Sequence, residues 1–201
     1  MALDIKSLLL VLVLINLILA SGLWIAFSSM FQNGLGKWGI SLVVQANAWA
    51  IFIFGAIWPG VGALVAGQVL LCASLNLQAG AIIEFRQRNA ALAWMLIPPA
   101  LLGLFLSAGL GVMVTSLVTN LVLGGCCAAI VRLLVREVMH HRRDTLWLMV
   151  TAYLILLAVF ATNAIVSLDN RSSAAAYMDP AQWPGVSALG AMAYVLIASF
   201  G

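Results

Sequence analysis

The sequence predicts an all-α polytopic membrane protein, a single bundle of seven transmembrane helices spanning residues 1–201. Three observations predict it: the composition, the length of the uninterrupted apolar runs, and where the few charges fall. Of 201 residues, 65% are apolar and 7% charged, against roughly 45–50% and about 25% in an ordinary soluble domain. A water-soluble globule of this size leaves too much surface exposed to hide that many apolar side chains. A soluble enzyme, a disordered chain and a disulfide scaffold are thereby excluded. The formal net charge of +3 is too small to point to nucleic acid.

A spanning helix needs about 20 apolar residues at 1.5 Å each. The first run covers about 5–30 and ends in the polar turn Gln32-Asn33-Gly34. The second, about 38–57, stops at Trp58-Pro59-Gly60, and the third, about 61–85, closes in Arg86-Gln87-Arg88-Asn89. The fourth, about 92–108, contains Pro98-Pro99, which remove intrahelical hydrogen bonds and predict a kink. The fifth, about 112–138, follows Gly109-Leu110-Gly111, and the sixth covers about 146–168. A polar stretch from Asp169 to Gln182 precedes the seventh, about 184–201. The short connections make successive helices antiparallel neighbours. The runs are far longer than the alternating strands of a membrane barrel.

With the first turn placed in the cytoplasm, Lys37, Arg86, Arg88, Arg132, Arg136, Arg142 and Arg143 share that side, seven of the nine basic residues. Cytoplasmic loops are enriched in Lys and Arg, so the N-terminus is expected outside and the C-terminus inside, in the cell's inner (plasma) membrane. Trp38, Trp58, Trp94, Trp147 and Trp183 fall near predicted helix ends, where amphipathic rings anchor at the interface, whereas Trp49 lies mid-helix. A cleaved signal peptide over residues 1–20 is a weighed alternative. Its n-region has no net charge, because Asp4 offsets Lys6, and the apolar run continues to Phe27.

Chemistry-bearing residues are few. Cys72, Cys126 and Cys127 lie inside apolar runs and read as small packing side chains. The only histidines, His140 and His141, are adjacent and so cannot face one another as axial haem ligands. With Arg132, Arg136, Arg142 and Arg143 they form a basic segment suited to anionic lipid headgroups. The acids Asp4, Glu84, Glu137, Asp144, Asp169 and Asp179 all fall at predicted helix ends or in loops. Proton-driven transport, intramembrane proteolysis and voltage sensing place ionisable groups at depth, and this pattern argues against all three. Neither a GxSxG nor an HExxH motif is present, and no metal or cofactor is expected.

Uncharged amides do lie at depth. Counted along their runs, Asn16, Asn47 and Asn120 fall within about 5 Å of the midplane. Gln45 and Asn76 lie slightly towards the inner side, Gln68 and Asn163 towards the outer. An unpartnered amide in hydrocarbon is costly, so each should face the interior as interhelical glue or as the lining of a pocket. Trp49, one turn beyond Gln45, would add an aromatic wall. The candidate ligand-binding residues are therefore Asn16, Gln45, Asn47, Trp49, Asn76 and Asn120. Gly103, Ser107 and Gly111 form a strip of small residues that lets another helix approach closely, and Asn170-Arg171-Ser172 matches a glycosylation sequon.

The opening Met1-Ala2-Leu3-Asp4 before a leucine-rich span, then Gly34-Leu35-Gly36-Lys37-Trp38, the Trp58-Pro59-Gly60 turn, and Glu84-Phe85-Arg86-Gln87-Arg88 together form a recognisable pattern. It resembles the N-terminal membrane sensor region of bacterial diguanylate cyclases, whose helices precede a cytoplasmic GGDEF domain that makes cyclic di-GMP. The resemblance covers the whole chain but rests on turn residues and helix order. It implies a homodimer and transfers no ligand set. No GGDEF signature is present, so this chain by itself is expected not to be an enzyme, and an output domain is expected to follow Gly201. The expectation is a sensory input domain that binds a small or lipid-like ligand between helices and relays it through the last helix. The alternative is a seven-helix transporter of a neutral solute, against which stands the lack of a visible internal repeat.

Overall fold

The computed structural model describes residues 5–26, 34–57, 61–85, 92–109, 111–141 and 146–168. They form six helices: α1 (Ile5–Ala26), α2 (Leu35–Ile57), α3 (Val61–Phe85), α4 (Leu92–Ser107), α5 (Val112–His141) and α6 (Leu146–Leu168). No strand occurs among the described residues. Four stretches are long and apolar enough to cross a membrane: Leu35–Gly55, Gly62–Phe85, Met113–Met139 and Leu146–Leu168. The apolar parts of α1 and α4, Leu9–Ile25 and Met95–Ser107, are shorter. The predicted seventh run and the sequon lie outside the described residues.

Burial is distributed as a lipid solvent demands. Asn16, Ser41, Gln45, Ser74, Gln78, Ser116, Asn120 and Ser167 are buried, while Leu14, Ile18, Leu101, Leu104, Leu154 and Ile165 point outward. Hydrocarbon cannot hydrogen-bond, so these polar side chains turn inward, exposed ones such as Thr151 and Thr162 bond back to a carbonyl of their own helix, and apolar ones tolerate the outside. The chain is a membrane protein on this evidence.

Antiparallel α2 and α3 are locked in register along their whole length. Lys37 and Glu84 pair at one end. Ser74 bonds Gln45 near the middle. Further along, the Phe52 ring fills the notch at Gly67, where an added Cβ would lie 2.6 Å from Cε1. At the far end Gly55 abuts Ala63. α1 packs on α2, α4 and α5 pack on α3, and α6 packs on α5, so α3 is the hub. Without a hydrophobic drive between helices in lipid, close fit of this kind carries the packing.

The start of α2 and the course of α4 refine the sequence reading. α2 begins at Leu35, before Trp38, because Gly34 adopts φ 84° and its carbonyl accepts the Trp38 N–H at 3.0 Å. The helix thus starts early enough to turn Trp38 inward. Trp38 is 3% exposed and packs in the core, so it is not the interfacial anchor expected from its position near a helix end. Trp147 and Trp24 are exposed, as interfacial or lipid-facing rings are. In α4 the helix runs through Pro98 and Pro99, whose missing N–H groups leave the carbonyls of Trp94 and Met95 without those donors. Of the predicted small-residue strip, Gly103 alone approaches another helix, with an added Cβ 3.3 Å from Val69 of α3, whereas Ser107 and Gly111 are exposed. Met95 is a second knob from α4, seated over Gly80 of α3.

Candidate functional site

The largest polar arrangement among the described residues joins three helices. Ser74 and Gln78 are one turn apart on α3 and therefore share a face. Both turn towards Gln45 of α2: Ser74 Oγ donates to Gln45 Oε1 at 2.9 Å and Gln78 Nε2 donates to the same oxygen at 3.4 Å. From α6, the Tyr153 hydroxyl donates to Gln78 Oε1 at 2.7 Å. All four side chains are buried, with Ser74, Gln78 and Tyr153 wholly so. Direction is consistent along the chain of bonds, from Tyr153 to Gln78 to Gln45, with Ser74 as a second donor at the end.

A second set ties α5 to α6. Asn120 Nδ2 donates to the Ser116 carbonyl at 2.9 Å and to Ser116 Oγ at 3.3 Å. Ser116 and Ser167 are 2.7 Å apart through their hydroxyls, and Ser167 donates to the Asn163 carbonyl at 2.7 Å. A third set lies between α3 and α5. Asn76 Nδ2 donates to the Cys72 carbonyl at 2.8 Å, and Cys72 Sγ and Cys126 Sγ lie 3.6 and 3.4 Å from it.

The six candidate residues are thus divided rather than gathered into one pocket. Gln45 sits in the first set, Asn120 in the second and Asn76 in the third. Asn16 is wholly buried on α1, bonded by Nδ2 to the Leu12 carbonyl at 2.8 Å, and its Oδ1 has no partner among the described residues. Asn47 is a correction: it is exposed and donates back to the Val43 carbonyl at 2.8 Å. Two residues along a helix is a rotation of about 200°, so with Gln45 inside, Asn47 must face out. Trp49 is half-buried and meets Phe52 in a tilted contact, centroids 5.9 Å apart, beyond Gln45 on the same helix.

Sequence reasoning missed Ser74, Gln78, Tyr153, Ser116 and Ser167. The i, i+4 pair Ser74–Gln78 was a usable signal, masked by the proximity of Gln78 to the charged end of α3.

No family model, curated protein or solved structure matches the chain. The resemblance to diguanylate cyclase sensor regions therefore stands on the quoted residues alone.

The ionisable side chains described fall towards the ends of the helices, the deepest on α5 being Arg132, nine residues before His141. Lys37 and Glu84 form an ion pair where α2 starts and α3 stops, both partly exposed. Arg132 and Arg136 lie one turn apart on the exposed face of α5 near its end, with Met139 beyond them. His140 and His141 close α5, and Arg142 and Arg143 lie outside the described residues. Among the described residues no group of three His, Cys, Asp or Glu side chains could hold a metal ion. The interior arrangement can exchange neutral hydrogen bonds between helices, or between helices and a guest molecule. It contains no acid–base pair.

Proposed function

We propose that the chain is a membrane-embedded sensory input domain that takes a small or lipid-like ligand between its helices. The observation that carries this reading is the buried uncharged chain Ser74–Gln45–Gln78–Tyr153, which links α2, α3 and α6. A guest hydroxyl or amide can replace one of these neutral bonds at little cost, because each is exchanged for another of the same kind. The exchange then shifts α6 against α3. Signalling requires unequal affinity for the two helix arrangements. The change passes through the run 184–201 to a cytoplasmic output domain, which the resemblance names as a diguanylate cyclase acting as a homodimer.

In this reading the chain crosses a bacterial inner membrane seven times, with its N-terminus outside and its C-terminus inside. The basic segment from Arg132 to Arg143 lies against anionic headgroups, where each Lys or Arg near the surface contributes about 1 kcal/mol. Purifying the chain from native membranes and extracting bound small molecules tests the proposal: a stoichiometric organic guest is expected. The second reading, a neutral-solute transporter, is favoured by the same uncharged donors and acceptors. Flux of a neutral solute into proteoliposomes above the empty-vesicle baseline, with no retained guest, would replace the first reading by the second.

A further inference from the structure

The third polar set contains two thiols that the proposed function does not use. Cys72 of α3 is wholly buried, and Cys126 of α5 is half-buried and packs against the core. Both sulfurs lie within hydrogen-bonding distance of one amide nitrogen, Asn76 Nδ2, at 3.6 and 3.4 Å. Cys127 faces another way: it is wholly buried and rotated about 100° from Cys126. Around Cys126 the sequence Gly124-Gly125-Cys126-Cys127-Ala128-Ala129 carries only small side chains, with Gly124 facing Phe160 and Leu157 of α6 and open space at Gly125.

We propose that Cys72 and Cys126 are a membrane-embedded peroxide-reactive thiol pair, which organic hydroperoxides dissolved in the bilayer convert to a disulfide joining α3 to α5. The placement supplies what such a pair needs: one thiol on a residue that is not fully buried, and a second that shares the same amide neighbour and can act as the resolving group. The N–H of Asn76 supports negative charge on sulfur as it reacts, in a medium that offers no water to do so. In the first step the Cys126 sulfur attacks the peroxide oxygen, the O–O bond breaks, and the alkoxide leaves with the thiol proton as an alcohol. Cys126 is now a sulfenic acid. In the second step the Cys72 sulfur attacks the Cys126 sulfur, the S–O bond breaks, and hydroxide leaves with the Cys72 proton as water. Two thiols have lost two electrons and two protons, and one hydroperoxide has become one alcohol and one water. The product is neutral and apolar, which suits its surroundings.

The test uses the full chain in membrane vesicles treated with cumene hydroperoxide, then denatured, counted for free thiols and mapped by peptide mass spectrometry. Free thiols are expected to fall from three to one, with Cys72 and Cys126 in a single linked peptide pair. C127S should form the same link, C126S should form none, and C72S should leave Cys126 as a sulfenic acid that dimedone traps. Hydrogen peroxide at equal concentration should react several-fold more slowly, because it partitions poorly into lipid. Three thiols remaining in the treated wild-type chain would overturn the proposal. A link through Cys127, a link between two chains, or equal reaction in C126S would overturn it as well.

Discussion

Tyr153 of α6 and Gln78 of α3, 75 positions apart in sequence, meet through a 2.7 Å hydrogen bond from the phenolic hydroxyl to Oε1, with both side chains wholly buried. Tyr153→Phe removes that donor while keeping the ring volume. Interhelical hydrogen bonds in membranes average about 0.6 kcal/mol and reach about 1.7, so a loss of about 1 kcal/mol is expected. Unfolding in mixed micelles measures it. Combined with Gln78→Leu, the double-mutant cycle should give a coupling of similar size, whereas additive effects would show that the contact does not carry energy.

Gly34 is the turn on which α2 starts, and two constraints hold it to glycine. Its φ is 84°, and an added Cβ would lie 2.6 Å from the Ala81 carbonyl oxygen of α3. Gly34→Ala should destabilise by about 1–2 kcal/mol from the dihedral alone, with the backbone clash in addition. Gly22→Ala, on α1 with nothing within 4 Å of the new methyl, is the control. It should be neutral or stabilising by up to about 1 kcal/mol, since Gly costs that much in a helix interior. Thermal unfolding of the two variants side by side separates the outcomes.

The ion pair Lys37–Glu84 fixes the register of α2 and α3 at one end. Because both side chains are partly exposed, its contribution is modest, about 1 kcal/mol or less. Lys37→Glu or Glu84→Lys alone places like charges together and should lower stability by a similar amount. The double reversal should recover most of the loss. Failure of the double reversal to recover would mean that the two side chains act separately.

Orientation is testable with periplasm-dependent reporter fusions. A reporter placed within residues 58–60 is expected to be active, and one placed in 142–145 to be inactive. The reverse pattern would invert the proposed N-out arrangement and move the basic segment away from the cytoplasmic leaflet.

The helices were legible because apolar runs near twenty residues and their breakers, such as Trp58-Pro59-Gly60 and Arg86-Gln87-Arg88, act locally. The rotational phase of each helix was not. In uniformly apolar helices no amphipathic stripe marks the inner face, so Gln45 and Asn47 read alike until packing put one inside and the other out. Trp38 was misread for a related reason: its depth was visible, but the left-handed turn at Gly34 that rotates it inward was not. Tyr153 looked like one more apolar aromatic, and only the approach of α3 gave its hydroxyl a partner.

The most direct measurement is a native mass spectrum of the chain released gently from its membrane, beside the Gln45→Leu and Tyr153→Phe variants. The wild-type chain should carry a small organic guest in defined stoichiometry, and both variants should lose most of it while keeping their helical circular dichroism. A guest-free wild-type spectrum, or equal occupancy in all three proteins, would contradict a ligand-responsive joint at Gln45, Gln78 and Tyr153.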